Sequence, residues 1–267
     1  MSCRVLVHAG FHKTGTSSVQ RTLRRNNGRL SDHIRLFLKD DLTPLCEAAR
    51  AYSIRRDALD LGLVTYEAAQ LFETFDLTDP RPVVISAEDL SGHMPGRHGL
   101  RSYAAAPAIM ACLVDTAAAV SPDIQMDFWF TLRASEPWLK SCHAQNVRAS
   151  RYRGDLASYT ADIAPETDLA ATAAAIADQT GVPVSTDHIE EIGTDPLGPA
   201  ARLLTLAGLD RQTLDALTPV RHSNPSLPDA IIAEMLALNC SDQTDREVHQ
   251  AKLRLAQAHE TAKETTE

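Results

Sequence analysis

Residues 5–20 of the chain read VLVHAGFHKTGTSSVQ. Gly10 and Gly15 stand five positions apart, the spacing of a loop whose backbone N–H groups wrap around a phosphate. Nucleoside triphosphate sites of this kind carry a lysine directly after the second glycine, where its ammonium reaches the β- and γ-phosphates. Here Thr16 holds that position, and the lysine, Lys13, stands inside the loop. Thr14, Thr16, Ser17 and Ser18 add hydroxyl donors. A turn between a buried strand and the start of a helix directs N–H groups and the positive end of the helix dipole at an anion. The chemistry this predicts is a grip on one phosphate with a cation beside it. The lysine that reaches a γ-phosphate and the usual arrangement for Mg²⁺ are both missing.

Such a loop needs a sheet behind it. RVLVHAG (4–10) is a short apolar run ending in glycine and predicts a buried parallel strand. RPVVISAEDL (81–90), IQMDFWFTLR (124–133) and VPVSTDHI (182–189) predict three more. Between them SSVQRTLRRNNG is helical, and its Asn-Asn-Gly predicts a stop at 26–28. Residues 43–76 hold two helices, TPLCEAARAYSIRR and TYEAAQLFETF. The stretch 104–120, AAAPAIMACLVDTAAAV, reads as a buried helix; Pro107, Asp115 and its length argue against a membrane span. SEPWLKSCHAQNVRAS, ETDLAATAAAIADQTG and PLGPAARLLTLAGL predict further helices. Strands alternating with helices imply a three-layer α/β fold of the P-loop type, a central, mostly parallel sheet flanked by helices, with ligands at the carboxyl ends of the strands. No linker divides the chain, so residues 1–267 are expected to form a single domain, with a polar helical tail from about 245 that frays at its end.

Composition narrows the function. The chain of 267 residues has a net charge of −9, which disfavours a broad nucleic-acid surface and leaves anion binding to local donors. Five cysteines at no metal-like spacing, and no charged-then-apolar leader, point to reduced thiols, a cytoplasmic location and no metal. Oligomeric state is not readable from the sequence.

The run HKTGTSS resembles the 5′-phosphosulfate loop of sulfotransferases that use 3′-phosphoadenosine-5′-phosphosulfate, bacterial carbohydrate-type enzymes among them. The resemblance implies that Lys13 contacts the phosphosulfate, with Thr14, Gly15, Thr16 and Ser17 cradling the 5′-phosphate. It also implies a second anion site for the 3′-phosphate, an arginine at a strand end and a serine eight residues later; Arg133 and Ser141 have that separation. In outline it covers most of residues 3–210. Ser18 stands where an aromatic often packs on adenine, and Arg133-Ala134-Ser135 replaces the family's Arg-Asp-Pro. Arg221 is a candidate replacement for a C-terminal cationic motif that the chain lacks. The family's general base follows the second strand, which implies Glu88, with His12 and His93 as competitors and Asp89 in the same stretch. Arg148, Arg151 and Arg153 form a basic segment suited to an anionic saccharide acceptor or equally to a solvated helix end. The expected activity is therefore sulfuryl transfer to a hydroxyl or amine of a small-molecule or saccharide acceptor. The alternatives are a P-loop kinase-like enzyme with a degenerate loop and a non-catalytic nucleotide-binding protein.

Overall fold

The computed structural model describes residues 2–220 and 227–264. In chain order, β1 (Cys3–His8) leads into α1 (Thr16–Leu30), β2 (Arg35–Leu38), α2 (Thr43–Arg55) and α3 (Ala58–Glu73). There follow β3 (Val83–Ser86), α4 (Ala106–Val120), β4 (Ile124–Leu132), α5 (Ser135–Ala149), α6 (Leu156–Ile163), α7 (Leu169–Thr180) and β5 (Val184–His188). Helices α8 (Ile189–Ile192), α9 (Ala200–Leu206), α10 (Arg211–Asp215), α11 (Asp229–Cys240) and α12 (Asp245–Glu264) complete the described chain.

The residues group into two compact units, a division the sequence reading did not draw. The first comprises residues 1–134 and 167–221 and contains the sheet. Its five strands are all parallel in the order β2-β3-β1-β4-β5, as an α/β fold requires. Val5, Leu6, Val7 and His8 are buried without a break, because helices cover both faces of β1. Leu6, Val84 and Trp129 pack with Val19, Leu23 and Leu30 of α1 and with Leu203 and Leu204 of α9. On the other face α4 packs against β4, α3 and α7. The chain leaves β1 toward β2 and β3, whereas β4 lies on its other side. The loop after β1 therefore sits where the strand order reverses, the place where open parallel sheets bind ligands.

Two expectations change. The edge strand β2 was not foreseen, since Arg35-Leu36-Phe37-Leu38 is too short to show a period. Helix α1 runs past Asn26-Asn27-Gly28 to Leu30. Leu30 is fully buried and Asn26 donates to the carbonyls of Thr22 and Thr218, so packing outweighs the local stop signal.

The second unit, residues 135–166 and 222–267, contains α5, α6, α11 and α12 around Val147, Ile232 and Met235. Lys252 is buried there, and its Nζ donates to the carbonyls of Val147 and Ser150 and to Asn239 Oδ1 at 2.8–2.9 Å. These bonds satisfy carbonyls at the end of α5 that the helix itself cannot pair. No helix of the described residues is long and apolar enough to cross a membrane.

Candidate anion loop and carboxylate cluster

The residues between β1 and α1 form a tight loop. Gly10 (φ 57°), Lys13 (φ 67°) and Gly15 (φ 100°) all adopt left-handed backbone conformations. Glycine does so readily, but for Lys13 the conformation carries a steric cost that the surroundings must hold in place. Gly15 is the N-cap of α1 and brings no side-chain cap; its carbonyl accepts from the Ser18 N–H at 2.9 Å and the Val19 N–H at 3.2 Å, which leaves the N–H groups of Thr16 and Ser17 to face the loop. A Cβ at Gly10 would lie 2.7 Å from Thr16 Oγ1, which is why only glycine fits there. The Thr14 side chain fastens the loop to the sheet. Its Oγ1 is fully buried, bonded to Phe11 O at 2.7 Å and Thr131 Oγ1 at 2.8 Å, and ties the loop to β4. Ser17 is exposed on the first turn of α1, and Thr16 is buried with Oγ1 3.5 Å from Phe11 O. Arg133, at the end of β4, donates from Nη1 to Lys13 O at 3.0 Å.

The carboxyl end of β3 supplies the second group. Glu88 and Asp89 open a short 3₁₀ turn directly after Ser86 and Ala87. Asp89 is buried and accepts from Arg50 Nη1 at 2.7 Å, lies 2.8 Å from Lys39 Nζ, and is 3.2 Å from His12 Nε2. Burial alone would raise its pKa, but the bonds from His12 and Lys39 outweigh that and hold the carboxyl well below the usual range. Glu88 accepts from Gln20 Nε2 at 2.9 Å and from Lys39 Nζ at 3.3 Å. Its desolvation is likewise overcome, by the charges of Lys39 and His12, so its pKa is lowered and it is ionised near neutrality. His12 is held at both ring nitrogens, with Nδ1 3.1 Å from the Tyr103 hydroxyl and Nε2 on Asp89. The Tyr103 hydroxyl also accepts from the His12 backbone N–H at 3.0 Å.

Glu88, His12, Lys13 and Arg133 thus belong to one connected region at the carboxyl edge of the sheet. Lys39, Gln20, Arg50 and Tyr103 complete it and were not foreseen. Gln20 follows the loop by one turn of α1 and was a legible candidate, but Lys39 depends on an edge strand that the sequence did not reveal. The His93 ring lies tilted against that of His98 at 4.6 Å, and burial, helped by the charges of His98 and Arg50, pushes its pKa down to about 4. Ser141 is buried on α5 in the second unit, while Arg133 closes the strand in the first.

Within the basic segment 148–153 the three arginines differ. Arg151 binds the carbonyls of Asn239 at 3.1 Å and Ser241 at 2.6 Å and the Asp245 carboxylate at 2.6 Å, bracing α11 against the start of α12. Arg148 donates to Gln145 at 2.9 Å, and Arg153 is exposed. Arg221 lies outside the described residues. Among the described residues no group of three or more metal-ligating side chains comes together. No protein-family model matches the chain, and no curated protein matches it in sequence.

Proposed function

We propose that the chain is a sulfotransferase that takes 3′-phosphoadenosine-5′-phosphosulfate as donor and sulfates a hydroxyl or amine of an acceptor, a saccharide by resemblance. The observation that carries this reading is the loop itself. An uncapped helix start and a lysine locked in a left-handed conformation stand together, while Thr16 fills the place of a triphosphatase lysine. A cation placed within the loop suits charge growing on the first phosphate, and the donor's scissile bond lies beside that phosphate.

In the transfer, the bond between sulfur and the bridging phosphate oxygen breaks as the acceptor oxygen or nitrogen bonds to sulfur, leaving adenosine 3′,5′-bisphosphate. Lys13 and the first-turn N–H groups stabilise the negative charge that gathers on the leaving oxygen. Glu88, ionised and oriented by Gln20 and Lys39, accepts the acceptor's proton. Arg133 supports the strained Lys13 backbone, and its remaining donors are proposed to meet the 3′-phosphate. The acceptor is proposed to approach the Glu88 edge rather than residues 148–153.

The test is thermal unfolding of the whole chain with adenosine 3′,5′-bisphosphate or with ATP and Mg²⁺. A ligand that binds only the native state raises the midpoint by mass action. The bisphosphate is expected to raise it at lower concentration than ATP. A stronger response to ATP with Mg²⁺ favours the kinase-like reading instead. Binding of the bisphosphate with no transfer to any acceptor favours a non-catalytic nucleotide-binding protein.

A further inference from the structure

His8 is the last residue of β1 and faces Ser86 in the register of β1 with β3. Its side chain is completely buried, with Nδ1 3.0 Å from Ser86 Oγ and the ring 4.6 Å from that of Trp129. The other ring nitrogen, Nε2, is buried with no hydrogen-bond partner. Buried polar atoms are almost always paired, so an unpaired one beneath a ligand loop calls for a physical reason.

The position of Nε2 supplies one. A Cβ built on Gly10 would lie 3.2 Å from His8 Nε2 and 2.7 Å from Thr16 Oγ1. Both polar atoms therefore flank the position that a side chain at residue 10 would take, and only glycine lets them come this close. Thr16 Oγ1 is itself weakly held, 3.5 Å from Phe11 O, at the limit of a hydrogen bond.

We propose that His8 is a positioning residue for the anion loop, turning the Thr16 hydroxyl toward a bound phosphate oxygen; this rests on the loop being an anion site. The donors then run in one direction. Ser86 O–H donates to Nδ1, Nε2–H donates to Thr16 Oγ1, and Thr16 O–H donates to the phosphate oxygen. No proton changes owner. Burial, which pushes the His8 pKa down to about 4, keeps the ring neutral with a single N–H, as this chain of bonds requires.

The experiment is a titration of the ¹⁵N-histidine-labelled wild-type chain with adenosine 3′,5′-bisphosphate, followed by a double-mutant cycle. The His8 Nε2 resonance is expected to move on saturation. His8→Phe and Thr16→Val are each expected to weaken bisphosphate binding about tenfold, and the double variant no more than either alone. An unmoved Nε2 resonance at saturation, or additive losses in the cycle, overturns the role of His8 while the loop remains an anion site. If the wild type binds no bisphosphate, the loop reading and this proposal fall together. Should His8→Phe fail to fold, the wild-type resonance decides.

Discussion

Arg133 Nη1 donates to the backbone carbonyl of Lys13 at 3.0 Å, so the arginine at the end of β4 holds the one non-glycine residue of the loop that sits at positive φ. The two motifs read from the sequence as separate anion sites are joined by a hydrogen bond. A guanidinium has five donors, and this contact uses only one nitrogen's share, which leaves Arg133 able to meet a second anion as well.

Arg133→Ala is therefore expected to weaken two ligands unequally. Adenosine 3′,5′-bisphosphate should lose on the order of 1.5–3 kcal/mol, the worth of a hydrogen bond to a charged group. The 5′-monophosphate should lose less, through the loosened loop alone. Calorimetric titration of both ligands checks this. Equal losses would restrict Arg133 to bracing Lys13.

The backbone of Lys13 gives a prediction in which stability and activity move apart. A left-handed conformation costs a residue with a Cβ roughly 1–2 kcal/mol. Lys13→Gly should relieve part of that and raise the unfolding midpoint, while Lys13→Ala, equally strained at φ 67°, should not. Both should lose most sulfuryl transfer, because the cation is gone. Full activity in either variant removes Lys13 from the chemistry.

How much of this was legible in the sequence follows from which interactions are local. The glycine spacing, the position of Lys13 and four of the five strands are written in short runs of residues. Helix α1 continued past Asn26-Asn27-Gly28 because Leu30 is buried and Asn26 caps a distant carbonyl at Thr218, neither of which shows in the segment itself. Lys39 stayed hidden for a related reason. Its role comes from the pairing of β2 with β3, Leu38 opposite Ser86, which brings the following lysine beside Glu88 and Asp89. The long-range partners of the Thr14 hydroxyl at Thr131 and of the Arg151 guanidinium at Asn239 are equally invisible in the local sequence.

Asp89 is expected to govern stability more than turnover. Its folded pKa lies below its unfolded value, so its contribution is fully present above the ordinary carboxylate range and is lost progressively as pH falls from there through the lowered folded value. Asp89→Asn leaves Arg50, Lys39 and His12 without their shared anion and should cost about 1–3 kcal/mol near pH 7, because Lys39 and Arg50 are partly solvated and Lys39 keeps Glu88. Urea unfolding at a series of pH values should show the gap between wild type and variant narrowing as the pH drops below about 4. A gap independent of pH would mean that the carboxylate charge is not what holds these three side chains.

The proton acceptor is the sharpest point to test. Glu88→Gln keeps the shape of the side chain but removes the charge, and its amide can accept from only one of Gln20 and Lys39. Bisphosphate binding should stay near normal while transfer falls by ~10²–10⁴-fold, the range expected for loss of a general base. Lys39→Met supplies the control. Lys39 is the leading attractive charge that lowers the Glu88 pKa, so removing it lets that pKa rise. Glu88 must be ionised to act, and activity in Lys39→Met should therefore fall away at a higher pH than in the wild type as the solution is acidified. The loss should be greater at pH 5 than at pH 8. A simple scaffold role for Lys39 would lower kcat/KM by the same factor at every pH. If Glu88→Gln stays active and His12→Ala does not, the proton passes instead to the imidazole between Tyr103 and Asp89, and Glu88 serves only to fix Gln20 and Lys39.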